Sequence, residues 1–119
     1  MAGGAAGRGV GLTMATALRA GLSPGPELMA KVTGLDRALA QADVVVAGED
    51  PLDHTRLNGT VIGEVYRRAM SAGRTVHALV GHATASTDRF DSVHQISEVS
   101  SLAFDGAAQE LCAHIAALQ

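Results

Sequence analysis

Aromatic side chains are scarce in these 119 residues: there is no tryptophan, one tyrosine and two phenylalanines, although hydrophobic residues make up 47% of the chain. That excludes a core built on large rings and leaves Ala, Val, Leu and Ile to do the packing, so each contact buries little area. Cysteine is represented by Cys112 alone, which excludes a disulfide framework and a cysteine metal cluster. Its place in an apolar periodic segment predicts a small buried side chain. Positive charge is sparse: the nine Lys and Arg residues form no run longer than Arg67-Arg68, and the formal net charge is −3. The electrostatic footprint for nucleic acid or anionic lipid is therefore missing. Met1-Ala2-Gly3-Gly4 has no basic or apolar leader character, and no stretch approaches the length of a membrane span, so the expectation is a cytoplasmic protein with no membrane partner. A chain this short has room for one domain, residues 1–119.

What is present is a succession of helical and strand-like patterns. The segment 1–11, with Gly3, Gly4, Gly7, Gly9 and Gly11, reads as a flexible start feeding a helix over Leu12 to Ala20. Ser23-Pro24-Gly25-Pro26 breaks the pattern, and Leu28, Met29 and Val32 then fit one face of a short helix. Thr33-Gly34-Leu35-Asp36 resembles a capping box opening another helix through Leu39 and Gln41. The β-branched run from Asp43 to Ala47, ending at Gly48, predicts a parallel strand buried on both faces. After a polar stretch, Val61, Ile62, Val65 and Ala69 recur at helical spacing with Glu64, Arg67 and Arg68 expected on the solvent side, Asn58 as N-cap and Gly73 at C′. Thr75 to Val80 predicts the next strand, closing at Gly81, and the two strands with their helix predict a βαβ unit. Val93, Gln95 and Ile96 suggest a third strand before a long helix carrying Leu111, Ile115 and Leu118. The fold class expected is α/β: a small three-layer, Rossmann-like domain with a mostly parallel sheet of about three strands.

In an open parallel sheet, ligands bind at the carboxyl ends of the strands, where backbone groups, helix N-termini and variable loops meet. Here one strand runs out into Gly48-Glu49-Asp50-Pro51-Leu52-Asp53-His54 and the next into Gly81-His82-Ala83-Thr84. Three carboxylates and an imidazole so close could hold a divalent cation with its phosphate ligands or accept a hydroxyl proton; a solvated acidic turn has the same composition. Gly7-Arg8-Gly9-Val10-Gly11 could approach a phosphate or form a tight packed loop. It lacks a preceding strand, the last glycine of the dinucleotide fingerprint and any Gly-Lys-Ser/Thr. His54, His77, His82, His94 and His114 lack the i, i+4 spacing of helix-borne ligands, so no metal site is expected from them. His77, inside a strand, predicts a satisfied core histidine, whereas His54 and His82 fall on the site edge.

The segment Gly34-Leu35-Asp36-Arg37-Ala38-Leu39-Ala40-Gln41-Ala42-Asp43-Val44-Val45-Val46-Ala47-Gly48-Glu49 resembles the bacterial type 1 glycerate kinases, which carry a helix, an Ala-Asp pair, an apolar strand and a Gly-Glu in this order. Upstream, Gly4-Ala5-Ala6-Gly7 with Gly9-Val10-Gly11 resembles the family's glycine-rich approach to a helix, and Pro24-Gly25 its Pro-Gly. Downstream, Leu52-Asp53, Leu57, Gly59, Val76 to Gly81, and Asp91-Ser92-Val93 with Ile96 follow the same pattern. The resemblance covers nearly the whole chain and is to the C-terminal third of such an enzyme. It implies ATP-dependent phosphorylation of glycerate with Mg2+, Glu49 and Asp53 as the acids carrying catalysis, and Gly48, Gly81, His82, His54 and Thr60 lining the substrate pocket. Asp50 stands where the family usually has a second glycine and Thr60 where it has a lysine, which removes a positive charge near the expected phosphates. The family's Asp-Ser-Phe-Lys-Gly motif has no counterpart in these residues. The expected partners are accordingly glycerate and either a complementing N-terminal chain or a second copy.

Two other readings compete. One is a catalytically inactive remnant acting as a small binding or assembly module. The other is a receiver-like signalling domain, which would need an early acidic cluster and a late lysine after a strand, and neither is present.

Overall fold

The computed structural model describes residues 7–52, 57–83, 88–96 and 101–118. The elements run α1 (Val10–Ala17), α2 (Gly25–Thr33), α3 (Leu35–Gln41), β1 (Val45–Glu49), α4 (Val61–Ser71), β2 (Val76–Val80), β3 (Ser92–Gln95) and α5 (Ser101–Ala117). The sheet order is β1-β2-β3, all parallel, with Val45 opposite Val76 and His77 opposite Ser92. The α/β class, the three parallel strands and the helix-linked crossover from β1 to β2 all agree with the sequence reading.

The alternation of side chains along a strand divides the packing. From β1 and β2, Val45, Ala47, Val76, Ala78 and Val80 join Ile62 and Ala69 of α4 in one aliphatic core, with Leu39 of α3 and the connecting residues Leu52, Leu57 and Phe90. Small residues let α4 sit close to the strands, as the scarcity of aromatics requires. From β2 the intervening His77 faces α5, its ring against that of His114. Helices therefore lie on both sides of the sheet, giving the three expected layers. β2 alone is enclosed on both faces. β1 is an edge strand whose Val46 and Gly48 are exposed, which corrects the expectation of a strand buried on both sides: α5 packs mainly over β2 and β3.

Several local expectations change with the packing. Val10 and Gly11, assigned to a flexible start, already belong to α1, and α1 has no buried residue. Thr33 does not open α3; it ends α2, donating its hydroxyl to the Met29 carbonyl at 2.8 Å. Gly34, at φ 71°, makes the bend shared by the two helices, a left-handed conformation that glycine adopts at little cost. Leu28, Met29 and Val32 are exposed and Ala30 is the buried residue of α2, because α2 meets its neighbours through its small side chain. Thr60, not Asn58, caps α4. Gly73, at φ 68°, follows the end of α4 as expected.

On α4, Arg67 is exposed, but Arg68 is folded down between helices, 2.6 Å from both Asp36 and Glu64. The side chains of Arg68 and Glu64 retain only 10% and 14% of their exposure, so these two do not form the solvent face that periodicity suggests. The Arg67 and Arg68 guanidiniums hold the Glu64 carboxyl below the usual range against the opposing effect of burial. Arg74 donates to the Leu39 and Ala40 carbonyls at 3.1 and 2.7 Å, placing a cation at the C-terminus of α3. Cys112 is exposed, contrary to expectation. Ala107 and Leu111 are the buried residues of α5, and the next position turns about 100° away from that narrow stripe.

Candidate functional site

Because β1 and β2 are adjacent and parallel, their carboxyl ends emerge side by side. The last register pair is Glu49 with Val80, after which the Gly81 amide donates to the Glu49 carbonyl at 3.3 Å. The two exits stay zipped together: the Leu52 amide donates to the His82 carbonyl at 2.7 Å, and Leu52 pairs with Ala83 in a parallel bridge. Leu52 is buried in the aliphatic core and pins the exit from β1 that follows Glu49 and carries Asp50. Glu49 is half-buried, whereas Gly48, Asp50 and His82 are exposed. Asp53 and His54, both expected in the site, lie outside the described residues; Asp53 directly follows the pinned Leu52.

The carboxylate of Asp50 lies where a Cβ of residue 81 would stand, so the acid from one strand end rests over the backbone of the other; Asp50 is exposed, and its side chain could turn aside for a larger residue at Gly81. The peptide bond between Asp50 and Pro51 is cis. The sequence reading counts Asp50 among the three strand-end carboxylates and as a departure from the family pattern; its contact with Gly81 is not foreseen there. The signal that could have found it is the pairing of an acid after one strand with a glycine after the next.

Thr60, expected to line the pocket, has its hydroxyl committed to α4: it donates to the Leu57 carbonyl at 2.8 Å and accepts from the Gly63 amide at 3.2 Å. Thr60 thus starts α4 just beyond the loop that leaves β1. Gly63 is forced by the same turn, since a Cβ there would run into the Leu57 carbonyl. The segment before α1 forms a tight turn with Gly7, Arg8 and Gly9 at φ 59°, 58° and 92°. His77 is 1% exposed and lies within β2, away from the strand-end site, as a core histidine. Two hollows flank α4, of 370 and 460 Å³, one lined by Asn58, Tyr66, Arg67 and Arg89, the other by Met29, Ala30, Leu35 and Val65. Neither is lined by Glu49, Gly81 or His82.

Among the described residues, no group of three or more His, Cys, Asp or Glu side chains is placed to hold a metal by itself. Mg2+ is commonly held by one or two carboxylates, with water and phosphate oxygens completing its octahedron. Glu49 and Asp50 at the strand ends are donors of that kind, so the residues present fit a metal brought in with a nucleotide.

Comparison with known proteins decides the relationship. The pattern of the glycerate kinase family matches residues 1–117. The chain belongs to the glycerate kinase family. A protein of Synechocystis sp., itself uncharacterised, is 33% identical over 93 residues, which is 78% of this chain and 25% of that protein. The crystal structure of a candidate glycerate kinase 2 from Salmonella typhimurium LT2 superposes with a TM-score of 0.66 at 24% identity, over 98% of this chain and 33% of that one. The latter shows a shared fold. This glycerate kinase family chain thus spans about a quarter to a third of the length of these relatives. Among the described residues, no helix is long and apolar enough to cross a membrane.

Proposed function

We propose that this chain supplies the acid-bearing strand-end part of a site that transfers a phosphoryl group from ATP to a hydroxyl of glycerate. The observation that carries this reading is the side-by-side exit of β1 and β2, in a glycerate kinase family chain, with Asp50 laid over Gly81 and Glu49 zipped to the same edge. Phosphoryl transfer asks the protein mainly for positioning and charge neutralisation. Glu49 and Asp53 are proposed as the acids that position the acceptor hydroxyl or hold Mg2+, with Asp50 beside them. Gly48, Gly81, His82 and His54 would line the acceptor pocket. Thr60 would act there by fixing the start of α4. Mg2+ would neutralise phosphate charge and orient the nucleotide. Because the chain spans 33% of the Salmonella chain, further nucleotide contacts are proposed to come from outside these 119 residues, from an upstream segment or a separate complementing chain. Cytoplasmic location is part of the same proposal.

The test measures ADP release from ATP with glycerate and Mg2+, using the purified chain alone and together with the upstream portion of a related kinase. The expected result is glycerate-dependent turnover only with the upstream portion, reduced on the order of a hundredfold or more by Glu49→Gln, because each misplaced element of an in-line transfer is costly. Turnover by the chain alone would overturn the need for complementation. Absence of turnover in both arms, with folding of the mixture confirmed by circular dichroism, would overturn the kinase reading.

A further inference from the structure

We propose that α5 is held to the sheet by a titratable clamp of three imidazoles, so that mild acid loosens this helix while the α4 side of the sheet stays intact. The clamp is built from three elements. His77 of β2 shares its Nδ1 with the Ser92 hydroxyl at 2.7 Å, and the same hydroxyl lies 3.1 Å from Nε2 of His94 in β3. From the helix, the His114 ring meets His77 edge-on at a centroid distance of 5.9 Å and His94 at 5.7 Å.

The apolar attachment beside this cluster is thin. Ala107 and Leu111 are buried, Ala103, Ala108 and Ile115 are half-buried, and Leu118 is exposed. α4, in contrast, inserts Ile62 and Ala69 into a continuous aliphatic cluster. Polar contacts therefore account for a larger share of what holds α5 than of what holds α4.

The clamp fits neutral rings. A hydroxyl has one proton and can donate to one ring nitrogen while accepting from the other, which satisfies His77 and His94 when each carries a single ring proton. When both rings are protonated, both nitrogens become donors and the Ser92 proton loses its acceptor. His114, exposed on α5, stands less than 6 Å from both other rings, and its charge when protonated opposes a proton on His77.

The surrounding charges only partly oppose this. On β2, His77 is the titratable residue; on β3, it is His94. Asp91, just before β3, accepts from the Val76 amide at 2.7 Å, and its charge favours a protonated His77. On α5, Glu110 lies one turn before His114 and Asp105 further up, both exposed. Burial and the two neighbouring imidazoles act the other way on His77, and burial is the larger effect, so its pKa is held below the ordinary 6.5.

The experiment is residue-resolved amide hydrogen exchange on the full 119-residue chain at pH 7.5 and 5.5, with rates divided by the intrinsic exchange rate at each pH. The expected result is a fall in α5 protection of about tenfold or more relative to α4, roughly 1.4 kcal/mol in the opening equilibrium. His114→Phe keeps a ring at the contact and removes the charge, and should shrink that relative fall to roughly threefold or less on the same scale. As a second readout, a spin label on the exposed, single Cys112 should gain mobility in the same pH interval in the parent chain. Equal loss of protection in α4 and α5, no loss in α5, or the full relative fall in a folded His114→Phe chain would each overturn the proposal. If His114→Phe does not fold, His94→Gln takes its place with the same criteria, since it removes the other ring that meets His114.

Discussion

The two faces of β2 put alternate residues of one five-residue strand to opposite uses. Val76, Ala78 and Val80 project into an aliphatic layer shared with α4, while His77 projects into a polar cluster shared with β3 and α5. The first contact is close-packed and indifferent to protons; the second depends on hydrogen bonding and protonation state. One strand can thus be the rigid centre of the fold on one side and the attachment point of a more weakly held helix on the other.

The comparison is broken most severely by damage to the α4 face. Ile62, 1% exposed, fills the layer between α4 and the strands, and Ile62→Ala should cost about 2–5 kcal/mol through lost transfer energy and the cavity left behind. Urea unfolding monitored by circular dichroism should show a large drop in midpoint or no folded baseline. An unchanged midpoint would mean that this face does not hold the fold. Gly63→Ala should cost roughly 1–3 kcal/mol in the same assay, because the new methyl would meet the Leu57 carbonyl and force the start of α4 to shift. Thr60→Ala removes the hydroxyl that accepts from Gly63 and should cost about 1 kcal/mol, a typical N-cap value.

A smaller effect sharpens the contrast by pH. His77 has its folded-state pKa held below 6.5 by burial, so the unfolded chain binds the proton more readily. Its contribution to stability is fully present above the unfolded value and is lost as pH falls through 6.5 toward the folded value. Urea midpoints should therefore decline between about pH 7.5 and 5.5, and the decline should be smaller in His77→Gln where that chain folds. Least affected should be Arg67→Ala: this exposed side chain pairs with Glu64 at 2.7 Å on the helix surface, and its loss should leave the midpoint nearly unchanged and easily masked by salt.

Much of the strand-end site was legible because it depends on local order. An apolar run followed by glycine and acids, a helix, and a second apolar run followed by glycine bring two carboxyl ends together wherever a parallel crossover forms. The backbone link from Gly81 to Glu49 and the bridge from Leu52 to Ala83 are the outcome of that order. The contact between Asp50 and Gly81 was not legible in this way. It joins residues 31 positions apart, and its meaning depends on the distance between two backbones that periodicity does not specify. Asp53 and His54 fall outside the described residues.

By itself, the amino-acid sequence determined the α/β class, the positions of the main strands and helices, the edge at which the acids emerge and the glycerate kinase resemblance. These follow from residue spacing and from short-range preferences such as glycine at Gly73. Only the tertiary structure decided that β1 is exposed on one face, that Arg68 is folded between helices, that Cys112 points outward and that His77, Ser92, His94 and His114 form one cluster. Each of these depends on where a helix settles on the sheet. The period of a helix specifies which residues share a face, but not how much of that face a three-stranded sheet is wide enough to cover.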